Sequence, residues 1–358
     1  MKRFCINDKI LNCAILCALL LVCSCTPQDK YVTVSGYAQG GTYSVKFNLN
    51  GRDGMITEDL ETISDSVDVL LQSIDNSLSG YNQNSILSRF NEGENVRPDS
   101  LFLDIYSRSY QIFDQTHGGV DVASGPLFDI WGFGFKNGEL PSDTLVSQTL
   151  ARCGMKRLSR DIIGAIDGEG KLAPESLLLV RGNELPSLNY NAVAQGYSCD
   201  VVARYLKSLG VKDMMVNIGE IFCDGVNPSG QPWTIGIDRP VDGNNESGAD
   251  IQGIFLVPEG PHGVVTSGNY RKFYVRDGKK YAHTIDPRTG YPVSHNLLSA
   301  TIIAPDATIA DAYATYCMVI GLEESIAFIE SHPELEACLI YDENGNYKSW
   351  TSSGLKLK

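Results

Sequence analysis

The chain lacks the cysteine and histidine patterns that build disulfide scaffolds and zinc sites. It has ten cysteines and five histidines, and the histidines stand singly along the chain. Five of the cysteines lie in the first 25 residues, and the other five are widely spaced with no Cys-x-x-Cys pair. Because most of these five lie in apolar runs, we expect buried free thiols rather than disulfides or zinc ligands. They are Cys153, Cys199, Cys223, Cys317 and Cys338.

Positive charge is also scarce. The chain carries 29 Lys and Arg residues against 43 Asp and Glu, a net charge of −14. Three of these basic residues and one of the acidic residues lie in the first 25 positions, so the remainder carries 26 basic and 42 acidic residues, or −16. Such a surface repels nucleic acid and anionic lipid headgroups, and we expect no nucleic-acid partner. An anionic ligand must therefore be held locally, by a metal ion, backbone amides or helix N-termini.

The common phosphate-binding fingerprints are missing. Residues 191–200 follow a predicted strand and open a predicted helix, but they contain neither three closely spaced glycines nor a Gly-Lys-Ser/Thr sequence. Within them, Ala192, Gly196 and Asp200 are four residues apart and share one helix face. Small residues on that face would let a flat or bulky group approach, and the first amides of the helix could bind an anion.

The one long apolar run lies at the N-terminus. Basic residues precede the apolar residues 10–22, a run too short to span a membrane comfortably and typical of a secretory signal. Ser24-Cys25 resembles a bacterial lipoprotein cleavage site, in which Cys25 becomes the lipidated N-terminus. We predict that residues 1–25 are a lipoprotein signal peptide. Plain secretion, or an uncleaved anchor, is the alternative.

Beyond this leader, short predicted strands occur in runs between isolated helices. An alternating strand pair covers residues 31–49, and a helical period covers residues 58–78. Short strands are also predicted at residues 177–180 and 188–190, and a closing strand pair at residues 337–351. This order favours an α+β fold, with mixed or antiparallel sheets and packed helices, over a doubly wound sheet. We predict one domain over residues 26–358, or two intimately joined lobes within it.

A possible cation site lies near the C-terminus. An apolar run breaks at Pro305, and a small-residue helix follows with Asp311 and Thr315 on one face. A carboxylate and a hydroxyl that point the same way are hard oxygen ligands of the kind that Mg²⁺ and Ca²⁺ prefer. The alternative is a structural helix, with Asp311 near its positive end and Thr315 bonded to its own helix carbonyls.

Two further segments carry residues suited to binding and proton transfer. At residues 125–127, glycine beside proline fixes a turn that a ligand can approach, and the aromatic residues of segment 131–134 could wall a planar ring. A buried structural turn explains that segment equally well. His283 is the one histidine embedded in polar, turn-forming residues, a setting typical of a general base. The alternative for it is a surface histidine paired with Asp286.

Taken in order, these segments resemble the FAD:protein FMN transferases, the ApbE family of periplasmic lipoproteins. The resemblance runs from about residue 36 to residue 322 and implies an ApbE-like, T-fold-related architecture. It also implies that FAD is split at the pyrophosphate, that FMN moves to a threonine of a target protein, and that AMP is released. The motifs that carry it are Gly41-Thr42, segments 78–81 and 84–91, segments 125–127 and 131–134, Ala192/Gly196/Asp200, segment 266–270, segment 283–290, and segment 311–315.

The resemblance implies a role for each matching residue. Mg²⁺ would be held by the Ala192 carbonyl, the Asp311 carboxylate and the Thr315 hydroxyl, with FAD phosphates completing its shell. His283 would draw the proton from the acceptor threonine, with Asp286 orienting it. The residues that would line FAD are Gly41, Tyr81, Gly125, Pro126, Leu127, Asn189, Gln195 and Ile285.

The sequence departs from the family pattern at four positions near the expected flavin. Gly40 stands where Met is common, and Asn189 where Asp is usual. Gln195 replaces a Lys or Glu, and Glu220 replaces a second glycine. The metal and histidine positions keep the pattern. Two alternatives therefore remain beside the transferase: an FAD pyrophosphatase, in which water replaces threonine, and a non-catalytic FAD-binding lipoprotein.

The resemblance also implies partners and a location. The expected acceptors are threonine-bearing membrane subunits of redox pumps, such as Na⁺-translocating NADH:quinone reductase and Rnf-type complexes. The expected location is the inner membrane, facing the periplasm, through a lipid on Cys25; the outer membrane is the alternative.

Overall fold

The computed structural model describes residues 30–133, 140–162, 186–241, 244, 248–270, 273–276 and 279–358. The predicted signal peptide, with Cys25, and the predicted strand at residues 177–180 lie outside these ranges. Within them, no helix has both the length and the apolar character needed to cross a membrane.

Within the described ranges, the strands and helices occur in separate runs along the chain: four strands, a series of helices over residues 60–208, eight strands, two helices and two closing strands. The strands are β1 (Tyr31–Ala38), β2 (Gly41–Asn48), β3 (Asn50–Gly51), β4 (Gly54–Met55), β5 (Met214–Ile218), β6 (Glu220–Asp224), β7 (Thr234–Asp238), β8 (Ile251–Leu256), β9 (His262–Gly268), β10 (Phe273–Arg276), β11 (Lys279–Ala282), β12 (Leu297–Ala304), β13 (Glu336–Glu343) and β14 (Asn346–Thr351). The helices are α1 (Leu60–Leu78), α2 (Ile86–Asn91), α3 (Ser100–Gln115), α4 (Gly125–Ile130), α5 (Asp143–Leu150), α6 (Met155–Ile162), α7 (Ala194–Ser208), α8 (Ala307–Ile320) and α9 (Leu322–Glu330).

One sheet organises the fold. Its eight strands lie in the order β1-β2-β5-β6-β9-β12-β13-β14, and each neighbouring pair is antiparallel. The hairpins β3–β4, β7–β8 and β10–β11 form separate two-stranded sheets. The predicted α+β class is therefore confirmed, and every strand pairing in the described ranges is antiparallel.

Both faces of this sheet are covered, as alternation along its central strands shows. In β9, Val265 belongs to the larger core, which includes side chains of α1, α3, α7 and α8, whereas its neighbour Val264 belongs to a smaller core. In β12, Ile302 and Ile303 divide in the same way. Because successive strand residues point to opposite faces, two adjacent buried apolar residues require a layer on each side. The smaller core contains apolar residues of the β7–β8 hairpin.

Local sequence signals account for the element ends that the sequence predicts well. The Asp59 carboxylate accepts from the Thr62 amide at 2.9 Å and begins α1. Between β13 and β14, Asn344 and Gly345 have φ of 55° and 81°, which is the left-handed pair that a type I′ hairpin turn requires. The prediction of free thiols is also confirmed: the five cysteines of the described chain are unpaired, and four of them are buried.

The strand predicted at residues 188–190 is wrong. The segment is buried but joins no sheet, because its backbone bonds go to the end of α2 and to a short 3-10 helix at Val122–Ser124. Leu188 exchanges two bonds of 2.8 Å with the Asn91 side chain, and the Asn189 amide donates to the Val122 carbonyl at 2.7 Å. The sequence prediction also missed three short helices, α2, α4 and α6, whose lengths of six to eight residues give little periodicity to detect.

Candidate active site

The predicted small-residue face of α7 is a helix contact. A Cβ atom added to Gly196 would lie 2.1 Å from the Ala307 carbonyl oxygen and 2.9 Å from the Asp311 Cβ. From the sheet side, a Cβ added to Gly263 would lie 2.3 Å from the Ala307 Cα. The start of α8 is therefore enclosed by α7 and β9 at backbone distance, and at Gly196 the space that the sequence suggested for a ligand is filled by α8.

Asp311 lies inside this contact as a buried carboxylate. One of its oxygens accepts the Gly196 amide hydrogen at 3.1 Å, and the residue is 5% exposed. Burial raises the pKa of Asp311 to about 7; the Gly196 amide acts in the opposite direction, and the nearby Asp200 carboxylate adds to the rise. No Lys or Arg of the described ranges forms an ion pair with it. A bound cation would supply the missing compensation.

Thr315 lies one turn further along α8. Its hydroxyl is 3.5 Å from the Ser267 hydroxyl of β9. In the described part of the chain it makes no bond back to its own helix, which is the alternative that the sequence left open. Ala192 lies in the turn just before α7, partly buried. A carboxylate, a hydroxyl and a backbone carbonyl are all hard oxygen donors, so this set fits Mg²⁺. The three ligand roles stay predictions.

Two predicted FAD contacts lie at the start of α7. Gly41 is exposed, and two residues before it the Gln39 side chain of the β1–β2 turn donates to the Ser198 hydroxyl of this helix at 2.5 Å. The Gln195 amide donates to the Ile218 carbonyl at 3.4 Å and lies against Gly219.

Asn189 precedes that helix in the chain. Its side-chain oxygen accepts from the Asn191 amide at 2.9 Å, so it shapes the turn that leads to Ala192. A carboxylate at this position, as the family pattern has, could accept the same bond. The Asn189 departure therefore changes the charge near the predicted ligands without removing the turn.

The Gly125 segment and the His283 segment meet in a small apolar cluster. Leu127 and Ile285 are both buried in it, 0% and 1% exposed, together with Trp131. The Trp131 indole N–H donates to the Gly290 carbonyl at 2.8 Å. On the other side, a Cβ added to Gly125 would lie 2.9 Å from the Ser187 carbonyl oxygen. Pro126 holds the first turn of α4. The segment is thus a structural turn that packs beside Ile285, and its role in lining FAD stays a prediction.

His283 directly follows β11 and is partly exposed. Its ring meets Phe133 edge to face, with centroids 6.4 Å apart. The next residue, Thr284, donates its hydroxyl hydrogen to the Asn269 side chain at 2.7 Å. Asn269 follows the end of β9, the strand in which Ser267 faces Thr315. A short chain of contacts therefore joins the predicted base to the predicted metal ligands.

Two predicted site residues stand apart from this group. The Asp286 carboxylate accepts two hydrogen bonds from the Arg288 guanidinium, at 2.9 and 3.0 Å, and its role towards His283 stays a prediction. Tyr81 is 71% exposed in the loop after α1, and its amide donates to the Ser79 hydroxyl at 3.3 Å. An exposed aromatic ring of this kind could cover a flat ligand, but the described contacts do not test it.

Sequence reasoning missed the residues that support the site. Ser267 lies in the Thr-Ser-Gly segment, and Asp200 in the Ala-x₃-Gly-x₃-Asp pattern, so both carried a signal. Asp200 accepts the Ala307 and Thr308 amide hydrogens at 2.9 Å each. No sequence signal marked Arg108 of α3, because only the fold brings it within 3.6 Å of Asp200.

Together, fold and site describe an α+β protein in which the buried Asp311 carboxylate lies in the α7–α8 contact and the segment after His283 packs on the apolar cluster around Trp131. The chain belongs to the ApbE family, whose model matches residues 39–339.

Curated relatives and solved structures agree with this membership. The FAD:protein FMN transferase of Vibrio cholerae is 31% identical over 349 residues, 95% of this chain and 96% of the relative. That of Escherichia coli K12 is 30% identical over 359 residues, 96% of this chain and 95% of the relative. The structure of the flavin transferase ApbE from Vibrio cholerae matches with a TM-score of 0.71 and 31% identity, covering 91% of this chain and 98% of that one. The apo structure of the Pseudomonas stutzeri flavinyl transferase ApbE gives a TM-score of 0.74 at 29% identity, covering 92% and 97%.

Proposed function

We propose that the chain is an Mg²⁺-dependent FAD:protein FMN transferase that moves FMN from FAD to a threonine hydroxyl and releases AMP. The observation that carries the proposal is the buried Asp311 carboxylate beside Thr315, joined through β9 to the His283 loop, in a chain of the ApbE family. A buried carboxylate without a cationic side-chain partner is costly unless a cation completes it.

The acidic chain needs a device to hold a diphosphate, and this donor set supplies one. Ala192, Asp311 and Thr315 would hold Mg²⁺, and the bound ion would supply the positive charge that neutralises a diphosphate and polarises its P–O bonds. Gln195 lies at the start of the same helix, where a side-chain amide can donate to an oxygen of FAD.

Transfer to threonine needs a base. The threonine oxygen attacks the phosphorus of the FMN half, the bond from that phosphorus to the bridging oxygen breaks, and AMP leaves with that oxygen. His283 would accept the hydroxyl proton during the attack. The Phe133 ring contacts this imidazole, and the Thr284–Asn269 bond holds the residue next to it in place.

Intact-mass spectrometry tests the proposal directly. A target domain with an acceptor threonine is incubated with this protein, FAD and Mg²⁺, with and without EDTA. We expect a mass gain of one FMN less water, lost with EDTA and lost when the acceptor threonine becomes alanine. Free FMN and AMP without a gain would instead indicate the pyrophosphatase. Unchanged FAD, in the presence of tight FAD binding, would indicate the carrier.

The acceptor and the membrane attachment are further parts of the proposal. Suitable acceptors are subunits of Na⁺-translocating NADH:quinone reductase or of Rnf-type complexes, facing the periplasm. Lipid on Cys25 would hold the enzyme near them at the inner membrane. In cells given a labelled fatty acid, the wild-type protein should become labelled and the Cys25→Ala variant should not. Equal labelling of the two would contradict this attachment site.

A further inference from the structure

The N-terminus of α8 is held by two carboxylates that share one arginine. Asp306 caps the helix by accepting the Ile309 amide hydrogen at 2.8 Å. Asp200, reaching over from α7, accepts the Ala307 and Thr308 amides at 2.9 Å and the Thr308 hydroxyl at 2.5 Å. Between them these carboxylates satisfy three amides of the first turn, more than a single capping residue does.

Arg108 of α3 binds both carboxylates. One guanidinium nitrogen is 2.6 Å from the Asp306 carboxylate, and another is 3.6 Å from that of Asp200. Asp200 is 4% exposed, and the Arg108 side chain is 20% exposed. Burial raises the pKa of Asp200, and the Asp306 carboxylate adds to the rise, whereas the Thr308 and Ala307 bonds act in the opposite direction. The guanidinium therefore lies between two like charges, one on the buried Asp200 and one on the partly exposed Asp306, and compensates both.

These bonds fix α8 against α7 at two points. Gly196 bonds Asp311, and one turn further along α7 Asp200 bonds the start of α8. The contact at Gly196 leaves no slack, because the backbone of α8 fills the place of a Cβ. Sliding α8 along α7 would break both bonds at once.

We propose that Asp200 and Arg108 are positioning residues for the metal ligands, a role that rests on the proposed Mg²⁺ site. The carbonyl ligand precedes α7, and the carboxylate and hydroxyl ligands lie on α8. The register of the two helices therefore sets the distance from the carbonyl ligand to the carboxylate and hydroxyl ligands. The Asp200–Thr308 bonds set that register, and the ion pair with Arg108 holds the Asp200 carboxylate in place. Neither residue touches the metal.

The test is metal affinity measured without turnover. Mn²⁺ is titrated into the full chain with saturating FAD and no acceptor, and the free Mn²⁺ signal is followed by electron paramagnetic resonance. For Thr308→Val, which removes one bond to Asp200 at constant size, and for Arg108→Ala, we expect Mn²⁺ to bind roughly 10- to 100-fold more weakly than in the wild type. Thr308→Ser and Arg108→Lys, which keep the hydroxyl and the charge, should recover most of the affinity.

The matched control is Asp104→Asn. Asp104 also joins α3 to α7, accepting from the Tyr197 hydroxyl at 2.8 Å, but it does not touch α8. This variant should lose stability while binding Mn²⁺ as the wild type does. Equal Mn²⁺ affinity in Thr308→Val, Arg108→Ala and the wild type would overturn the positioning role alone. A wild type that binds no Mn²⁺ would overturn the proposed metal site, and this role with it.

Discussion

The two halves of the candidate site are built in different ways. At the α7–α8 contact, Asp311 and Gly196 are buried and joined directly, and helix backbones meet without intervening side chains. Residues 283–292, in contrast, form an irregular segment that packs on the small apolar cluster around Trp131 and Leu127. It is tied down by an isolated bridge between Ile285 and Pro292 and by the bond from Trp131.

The difference follows from what each half is proposed to do. A metal needs ligands at fixed separations, and rigid elements in backbone contact provide them. A base must meet an acceptor that arrives from solution, and a partly exposed loop can admit one. A substitution in the first half should therefore abolish both FMN transfer and AMP release, whereas a substitution in the second should abolish only the transfer to threonine.

The largest effect is expected from Asp311→Ala. Loss of the carboxylate ligand should lower both FMN transfer and AMP release by about a thousandfold or more, because metal stabilisation contributes several kcal/mol. The measurement is the initial rate of each product with saturating FAD and Mg²⁺. Retention of either activity at near wild-type rate would contradict the ligand role.

His283→Gly should separate the two halves. Without the base, transfer to threonine should fall by roughly 10²- to 10⁴-fold. Binding of FAD and metal should change little, because the α7–α8 contact is untouched. Equilibrium dialysis with FAD and Mg²⁺, alongside intact-mass assay of the acceptor, checks both expectations. Weaker FAD binding equal to that of Asp311→Ala would show that the halves are not independent.

Gly196→Ala should disrupt the helix contact itself. The added methyl meets the Ala307 carbonyl oxygen at 2.1 Å, so α7 and α8 must separate. We expect a loss of about 3 kcal/mol or more in the free energy of unfolding, measured by urea denaturation of the FAD-free protein. In the control Gly41→Ala, the added methyl has no atom within 4 Å, and stability should be unchanged. A stable Gly196→Ala variant would mean that this contact is not rigid.

Asp121→Asn should alter how the free energy of unfolding depends on pH. Burial raises the pKa of Asp121 to about 6, from an ordinary value of 3.8, although it accepts the Ala123 and Met155 amides. Because the folded protein holds this proton more tightly than the unfolded chain, the resulting stabilisation is complete below about pH 4 and is lost as the pH rises through 6. The effect is at most about 3 kcal/mol.

Urea denaturation between pH 4 and pH 7 checks this expectation. The wild type should lose more stability over that range than Asp121→Asn, whose amide oxygen can still accept an amide hydrogen. Parallel pH profiles for the two proteins would contradict it.

Much of the fold could be predicted because it is encoded locally. The alternation in residues 31–49 and the Asn344-Gly345 turn each specify a strand pair through the backbone geometry of a few neighbouring residues. Asp311 and Thr315 could be paired for the same reason, since four residues make one helix turn. Residues 188–190 misled because all three are buried without a neighbouring strand, and a short apolar pattern cannot tell whether a buried segment has a strand beside it.

The sequence by itself determined which residue types were present and which lay on one helix face or in one turn. Only the tertiary structure decided that Gly196 closes onto α8, that Asp200 caps that helix from α7, and that Arg108 compensates two carboxylates. These contacts join residues about 90 to 200 positions apart in the chain. Local propensity has no reach over such separations, because it acts through the nearest few residues, whereas close packing in the folded core selects the partners.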